Sequence, residues 1–305
     1  MTGCPAAGGV CNALTVARIA IIGGGSIGEA LLGGLIRAGR QAKDLVVAEK
    51  SPERAKYLSE KYSVLVTSVA DAAENASFVI VAVKPADVST IVEEIADAAA
   101  HAESESVEQV FVTVAAGVTT EYYESKLPAG APVIRVMPNA PVVVGGGVSA
   151  LAPGRFATTE QLKEASAIFD SVGGVLTVSE SQMDAVTALS GSGPAYFFLV
   201  VEALVDAGVA AGLTRPVATD LVVQTMAGSA AMLLERLDAA QSVSDSALGT
   251  GMDTTAAQLR ATVTSPGGTT AAGLRELEKG AVRHAFAEAV EAAKRRSSQL
   301  GITSG

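Results

Sequence analysis

The stretch VARIAIIGGGSIGEALLGGLIRAG, residues 16–39, joins a short apolar run to a glycine-rich turn and a helix-like segment. Gly23, Gly25 and Gly28 satisfy the pattern G-x-G-x-x-G, in which glycines let backbone N–H groups approach a diphosphate at the positive end of the next helix. The pattern is weak by itself, but here it follows a strand and opens a helix. The stretch therefore predicts a dinucleotide site in a Rossmann-like unit.

Close packing of the helix on the strand is the competing explanation for these glycines. It accounts for Gly28 but not for Gly23 and Gly25, so the dinucleotide site is favoured. The intervening Ser26 and Ile27 are then expected to contribute contacts to the cofactor.

Strand-like and helix-like segments alternate over the first half of the chain, with helices at positions such as Ser51–Lys61 and Ala86–Ala100. Continuous apolar strands between helices indicate a doubly wound α/β fold, in which a parallel sheet is covered on both faces. The predicted strands are Val16–Ile22, Asp44–Ala48, Ser63–Thr67, Phe78–Val83, Gln109–Val114, Pro132–Met137, a strand after Gly147 and, beyond a helix near Thr159–Val172, Val175–Val178.

From about Glu180 the sequence becomes helical, which predicts an all-α second domain. We predict a flexible tail at 1–15, a dinucleotide-binding Rossmann domain at 16–180, and a helical dimerisation and substrate domain at 181–305. Helices such as Tyr196–Ala210 are apolar nearly all round, which is typical of helices buried on every side. One small helical domain offers little interior, so we expect these helices to pack against a second copy in an obligate homodimer.

Charge and composition exclude several classes of partner. The net charge of −10 argues against nucleic acid and against an anionic membrane. No apolar run reaches the roughly 18 residues of a membrane span without a charge. Cys4 and Cys11 do not have the spacing of a zinc site, and a disulfide between them would stabilise almost nothing. This favours a reduced, cytoplasmic protein without a metal site.

The residues after the second predicted strand bear on the choice of nucleotide. Glu49 lies about 20 residues beyond the glycine turn, where an acid accepts a hydrogen bond from the ribose 2′-hydroxyl of NADH. Lys50, Ser51 and Arg54 follow at once and suit the 2′-phosphate of NADPH. NADPH is favoured, with NADH as the competitor.

Two more loops follow predicted strands, where ligands bind in open α/β sheets. VAVKP ends in Val83, Lys84 and Pro85, which we expect beside the ribose or nicotinamide of the cofactor; for Lys84 an ordinary surface lysine is the alternative. VMPNAP contains Pro138, which fixes the chain, and Asn139, which can bond to a ligand or to its own backbone.

A second glycine turn, SPGGTT from Ser265 to Thr270, precedes a helix predicted to begin at Thr269 or Thr270. Free N–H groups there form an anion hole, and the Thr270 hydroxyl can donate to a carboxylate or accept from a substrate N–H. An ordinary threonine cap is the competing explanation, but capping does not require Gly267 and Gly268. A small substrate with a carboxylate next to a ring nitrogen fits these donors.

The helical half offers few groups to protonate the alkoxide that forms when a ketone is reduced. It contains no lysine before Lys279 and no histidine before His284, which we expect to be an ordinary, partly buried residue of an amphipathic helix. A protonated C=N bond already holds its proton, so hydride delivery completes its reduction without a strong acid. The sequence therefore favours imine reduction.

The motifs GGGSIG, VAVKP, VMPNAP, ALSGSGPAYFF and TVTSPGGTTAAGLRELE together resemble the Δ1-pyrroline-5-carboxylate reductase family over nearly the whole chain. The resemblance implies reduction of pyrroline-5-carboxylate to L-proline by NAD(P)H, the last step of proline biosynthesis. It also implies a homodimer that often assembles further into a decamer, a pentamer of dimers.

The resemblance also implies roles for particular residues. Lys84 and Thr270 would be catalytic, Pro138 and Asn139 would border the nicotinamide, and the turn Ser190–Pro194 would form the pocket floor. The loop that holds the substrate carboxylate would consist of Ser265, Gly267, Gly268, Thr269 and Thr270.

Two other functions fit part of the sequence. A β-hydroxyacid dehydrogenase also joins a Rossmann domain to helices, but that chemistry requires a lysine in the first long helix of the second domain, and Ser192–Gly208 has none. A non-catalytic dinucleotide-binding protein stays open as an alternative, because a site of backbone groups looks similar with or without turnover.

Overall fold

A computed structural model describes residues 17–101, 108–244 and 255–301. The predicted flexible tail at 1–15, with both cysteines, lies outside the described residues. The chain divides into two compact units. One runs to Ser192 and takes up the C-terminal residues from Ala293, and the other is Gly193–Ala292.

The first unit is built on an eight-stranded sheet. Its strands are β1 (Ile19–Ile22), β2 (Leu45–Ala48), β3 (Leu65–Thr67), β4 (Phe78–Val81), β5 (Val110–Thr113), β6 (Val133–Met137), β7 (Gly147–Pro153) and β8 (Gly173–Thr177). Their order across the sheet is β3-β2-β1-β4-β5-β6-β7-β8. The parallel arrangement expected of β1 to β6 is confirmed. By contrast, β7 runs antiparallel to β6, because the link from Met137 to Gly147 is too short for the crossover that a parallel neighbour needs.

Helices cover both faces of this sheet, as the continuous apolar strands predict. They are α1 (Ser26–Arg37), α2 (Pro52–Tyr62), α3 (Val69–Ala73), α4 (Val88–His101), α5 (Thr120–Lys126), α6 (Thr159–Asp170) and α7 (Met183–Val186). All four residues of β1 are buried, with Ile19 and Ile21 in one apolar cluster and Ala20 and Ile22 in the other. Because parallel strands are buried on both sides, their sequences read as unbroken apolar runs.

The second unit consists of helices α8 (Gly193–Ala210), α9 (Arg215–Ser244), α10 (Thr255–Thr262), α11 (Thr269–Lys279) and the first part of α12 (Val282–Leu300). Helices α8 and α9 pack closely, since a Cβ added at Gly208 would lie 3.1 Å from the Cβ of Ala218. His284 is exposed in the single chain, so its expected partial burial is not found there.

The apolar helices α8 and α9 are largely open to solvent in the single chain. Phe198 is 64% exposed and Leu199 66%, whereas Val205 on α8 and Ala218 on α9 are buried. The prediction that these helices are buried on every side is therefore wrong for the single chain. Their exposure is expected if a second copy of the chain covers them. Segments Glu180–Ala210 and Arg215–Leu237 are also long and apolar enough to span a bilayer. This is weak evidence for a membrane protein, because helices that pair with another subunit have the same composition.

Candidate active site

The glycine turn between β1 and α1 forces a close backbone approach at two positions. Gly23 has a φ of +106°, and a Cβ there would lie 2.8 Å from the carbonyl oxygen of Ala82. A Cβ at Gly28 would lie 2.0 Å from the carbonyl oxygen of Gly23. Packing therefore explains Gly23 as well as Gly28, and the expectation that it explains only Gly28 is wrong.

Gly25 is the glycine that packing does not explain. A Cβ at this position would have no neighbour within 4 Å, and the residue is exposed. Gly25 is also the N-cap of α1 and offers no side-chain cap, so the first helical hydrogen bond runs from the Glu29 N–H to the Gly25 oxygen at 2.8 Å. The N–H groups of Ser26, Ile27 and Gly28 precede that bond and have no partner within the helix. This open helix start fits the diphosphate of a dinucleotide.

Glu49, at the end of β2, holds the glycine turn. One of its carboxylate oxygens accepts a hydrogen bond from the Gly24 N–H at 2.9 Å, and the other accepts from the Ser51 N–H at 2.8 Å. The Ser51 hydroxyl oxygen in turn accepts from the Arg54 N–H as the N-cap of α2. The carboxylate that was expected at the ribose therefore already bonds to two backbone groups.

Arg54 is engaged in the same turn. Its Nε donates to the carbonyl oxygen of Gly24 at 2.7 Å, and its Nη2 donates to the carboxylate of Glu29. Sequence reasoning considered this guanidinium for the 2′-phosphate of NADPH. In the structure the guanidinium is bound to the protein instead.

Glu29, in the first turn of α1, collects hydrogen bonds from four side chains: Lys61, Arg54, Tyr62 and Tyr57. Burial is the largest single effect on this carboxyl and raises its pKa. The four hydrogen bonds together outweigh burial and lower the pKa of Glu29 to about 2. Glu29 is therefore a carboxylate at neutral pH, and its charge is matched by Arg54 and Lys61.

Three further predicted cofactor residues, Val83, Lys84 and Pro85, follow β4 at the same sheet edge as the glycine turn. The Val83 side chain lies beside the turn, 3.0 Å from the position of a Cβ on Gly23, while Lys84 and Pro85 are exposed. Lys50 reaches across this edge, with its Nζ 3.3 Å from both carboxylate oxygens of Asp87.

Pro138 and Asn139 follow β6, whose carboxyl end lies at that edge too. Pro138 is buried, and the Asn139 side-chain oxygen accepts a hydrogen bond from the Val148 N–H at 2.9 Å. Asn139 was expected to bond either to a ligand or to its own backbone. The structure shows a bond to the backbone, but to a residue nine positions further along the chain. The side-chain NH2 group remains for a ligand.

The turn Ser190–Pro194 begins within a π-helical turn, Thr187–Gly191. The Ser190 hydroxyl oxygen is buried and has no hydrogen-bond partner among the described residues. A buried polar atom in this state is uncommon, and π-turns occur frequently at functional sites.

In the second unit, SPGGTT forms a type II turn followed by an open helix start. Pro266 and Gly267 occupy its central positions, Gly267 has a φ of +71°, and the Gly268 N–H donates to the Ser265 oxygen at 3.0 Å. Gly268 is the N-cap of α11. The explanation of Thr270 as an ordinary helix cap is therefore wrong, and its exposed hydroxyl does not cap the helix.

Comparison with known proteins identifies the family to which this chain belongs. Residues 180–300 match the model described as pyrroline-5-carboxylate reductase dimerisation, and residues 18–119 match that of NADP oxidoreductase, coenzyme F420-dependent. The pyrroline-5-carboxylate reductase of Mycobacterium tuberculosis is 69% identical over 289 residues, which cover 94% of this chain and 98% of that protein. The chain belongs to the pyrroline-5-carboxylate reductase family. The Mycobacterium leprae member is 68% identical over 95% of this chain and 99% of its own.

Solved structures of the pyrroline-5-carboxylate reductase family share the fold. The enzyme from Coxiella burnetii superposes with a TM-score of 0.83 at 34% identity, covering 94% of this chain and all of that one. The Plasmodium falciparum pyrroline carboxylate reductase, solved with NADP bound, gives a TM-score of 0.75 at 28% identity over 94% and 98% of the two chains. The match of residues 180–300 to a dimerisation model supports a dimer, and α8 and α9, with their open apolar surface, lie within the matched range.

The residues predicted for this reductase site fall into two groups, one in each compact unit. The cofactor group gathers at one edge of the sheet, and the substrate group gathers at the start of α11. Sequence reasoning missed Glu29 and Asp87. An acid directly after the last glycine of the motif was a signal for Glu29, whereas Asp87 meets Lys50 only through the strand order β2-β1-β4.

Proposed function

We propose that this chain is a pyrroline-5-carboxylate reductase, an NAD(P)H-dependent oxidoreductase that reduces the C=N bond of Δ1-pyrroline-5-carboxylate to give L-proline. The observation that carries the proposal is the 69% identity to such an enzyme over 94% of the chain. When bound, the reduced nicotinamide supplies the hydride for this reaction. The protein's own task is to hold two anionic molecules in place.

The cofactor end of the proposal rests on open backbone donors. The N–H groups of Ser26, Ile27 and Gly28 receive the diphosphate at the start of α1, where the helix dipole favours negative charge. Lys84 lies beside the cofactor at the end of β4, and the NH2 group of Asn139, next to Pro138, faces the nicotinamide. Contacts of Gly23, Gly25, Val83 and Pro85 complete this part of the site.

The substrate end rests on the turn before α11. Its N–H groups at Thr269 and Thr270 receive the substrate carboxylate, with Ser265, Gly267 and Gly268 shaping the turn around it. The Thr270 hydroxyl, free of a capping role, accepts a hydrogen bond from the ring nitrogen. Because the protonated C=N group already carries its proton, no stronger acid is required.

We further propose that residues 16–180 form the dinucleotide-binding domain and 181–305 the helical dimerisation and substrate domain. The dimers associate as a pentamer of dimers in the cytoplasm. The match of residues 180–300 to a dimerisation model supports the boundary between the two domains. Sedimentation velocity that shows only dimers at micromolar concentration would contradict the larger assembly.

A spectroscopic assay tests the function. Purified protein is expected to oxidise NADPH or NADH on addition of pyrroline-5-carboxylate, and to show no reduction of NADP when a β-hydroxyacid is added. Nucleotide binding without turnover on either substrate would instead identify a non-catalytic binding protein.

The nucleotide preference gives a second test, directed at Lys50. NADPH is the proposed cofactor, with NADH as the competitor, and the 2′-phosphate competes with Asp87 for Lys50. Lys50→Gln is expected to lower kcat/KM for NADPH by about 5- to 10-fold and to leave that for NADH within about twofold. Asp87→Asn is expected to shift the ratio the opposite way, because it releases Lys50.

Lys43→Gln is the matched control, since Lys43 is exposed and precedes β2 at the opposite edge of the sheet. An equal loss for both nucleotides in Lys50→Gln would show that this lysine does not distinguish them. Glu49 and Ser51 are left intact in these variants because they also hold the turn.

A further inference from the structure

Both backbone polar groups of Gly24 are bound by side chains. Its N–H donates to Glu49 at 2.9 Å, and its carbonyl oxygen accepts from Nε of Arg54 at 2.7 Å. Gly24 is buried, and a Cβ there would lie 2.3 Å from Cδ1 of Leu58 on α2. The middle of the glycine turn is therefore fixed by α2 and the residues before it, and not by α1 alone.

Arg54 joins the two ends of the turn. One part of its guanidinium binds Gly24, and the other binds Glu29 in the first turn of α1. The guanidinium carbon also lies 5.0 Å from the ring centre of Tyr57, which adds a cation–π contact. A planar, forked donor is suited to two acceptors at once, which a lysine ammonium cannot reproduce.

Glu29 is an unexpected residue at a diphosphate site. A carboxylate in the first turn of a helix occupies the positive field that a bound anion needs, so an unpaired Glu29 would weaken binding. Here Arg54 and Lys61 both donate to it, the latter at 2.9 Å, so its charge is neutralised within the protein. This arrangement supplies an anchor for Arg54 without a net negative charge beside the ligand.

We propose that Glu29 and Arg54 are positioning residues for the cofactor: Arg54, oriented by Glu29, fixes the Gly24 peptide so that the N–H groups after it stay directed at the dinucleotide diphosphate. The inference rests on the proposed function, because it concerns the same cofactor site. Neither side chain touches the ligand. Both act through the backbone of the turn.

The test compares Glu29→Gln, Arg54→Gln and the double variant by calorimetric titration with NADPH. Each single variant is expected to raise Kd by about 10-fold, because each breaks the charge-assisted hydrogen bond between Arg54 and Glu29 that orients the turn. The double variant is expected to match the singles rather than multiply them, because both changes break the same link. Arg54→Lys is expected not to restore binding.

A steady-state readout separates positioning from general destabilisation. KM for NADPH is expected to rise with Kd, while kcat and KM for pyrroline-5-carboxylate at saturating NADPH stay within about twofold of wild type. Lys56→Gln, which breaks only the exposed pair with Glu60 on the same helix, is the control and is expected to bind NADPH normally.

Unchanged Kd in the isosteric Glu29→Gln variant, multiplicative effects in the double variant, or a parallel loss of kcat and melting temperature would each overturn the inference. The proposed function fails separately. Wild-type protein that binds NADPH without reducing pyrroline-5-carboxylate would remove the function and leave the positioning role to be judged by Kd. Wild-type protein that binds no dinucleotide would remove both.

Discussion

Gly28→Ala is expected to raise the Kd for NADPH by about 100-fold. The added Cβ would lie 2.0 Å from the carbonyl oxygen of Gly23. The helix backbone fixes the Cβ, and a backbone carbonyl cannot rotate away as a side chain can. Overpacking of this kind costs about 1–3 kcal/mol, and the backbone shift that relieves it opens the diphosphate turn. Calorimetric titration with NADPH, together with a melting curve, measures both effects.

Gly33→Ala is the matched control because it adds the same methyl group to the same helix. The three nearest atoms to its Cβ belong to side chains: Nη1 of Arg37 at 3.2 Å, and the hydroxyl and Cε1 of Tyr62 at 3.3 and 3.5 Å. Both side chains can move by a few tenths of an ångström, so NADPH binding is expected to stay close to wild type. Normal binding by Gly28→Ala would show that the turn does not hold the diphosphate.

Thr270→Ala is expected to lower kcat/KM for pyrroline-5-carboxylate by on the order of 10-fold or more, equivalent to one hydrogen bond to a charged group. Since Gly268 is the N-cap of α11, removal of the hydroxyl should leave the helix and the melting temperature unchanged. Thr270→Ser retains the hydroxyl and is expected to recover most of the activity. Steady-state kinetics at saturating NADPH provide the measurement.

Thr262→Ala controls for the loss of a threonine nearby in the sequence. The Thr262 hydroxyl donates to the Leu259 carbonyl oxygen at the end of α10, so it is engaged within that helix. This variant is expected to behave as wild type. Unchanged kinetics in Thr270→Ala would show that its hydroxyl makes no contact that matters for the reaction.

The order of strands and helices was predictable from the sequence because each signal is local. The run at β1 is apolar throughout, the turn glycines follow directly, and α1 begins at Ser26, inside the glycine pattern. The same holds at α11, where Pro266 and Gly267 define the turn type and Gly268 the N-cap. In each case the deciding residues lie within a few positions of one another.

Partners that are distant in the sequence were not predictable in the same way. From the sequence, Glu49 is predicted to bind the ribose, but the fold brings it to Gly24, 25 residues away. In the same way, Arg54 is predicted to bind the phosphate, but in the structure it binds Glu29. A charged side chain takes the nearest strong partner, and only the packing of α2 against the glycine turn decides which partner that is.

By itself, the sequence determined the doubly wound sheet, the two open helix starts and the family, because glycine conformation and apolar periodicity act over short stretches. The tertiary structure alone decided which charges face the ligand site and which are bound within the protein. It also decided that α8 and α9 stay open in a single chain. These outcomes depend on contacts between segments far apart in the chain, and a linear pattern does not record such contacts.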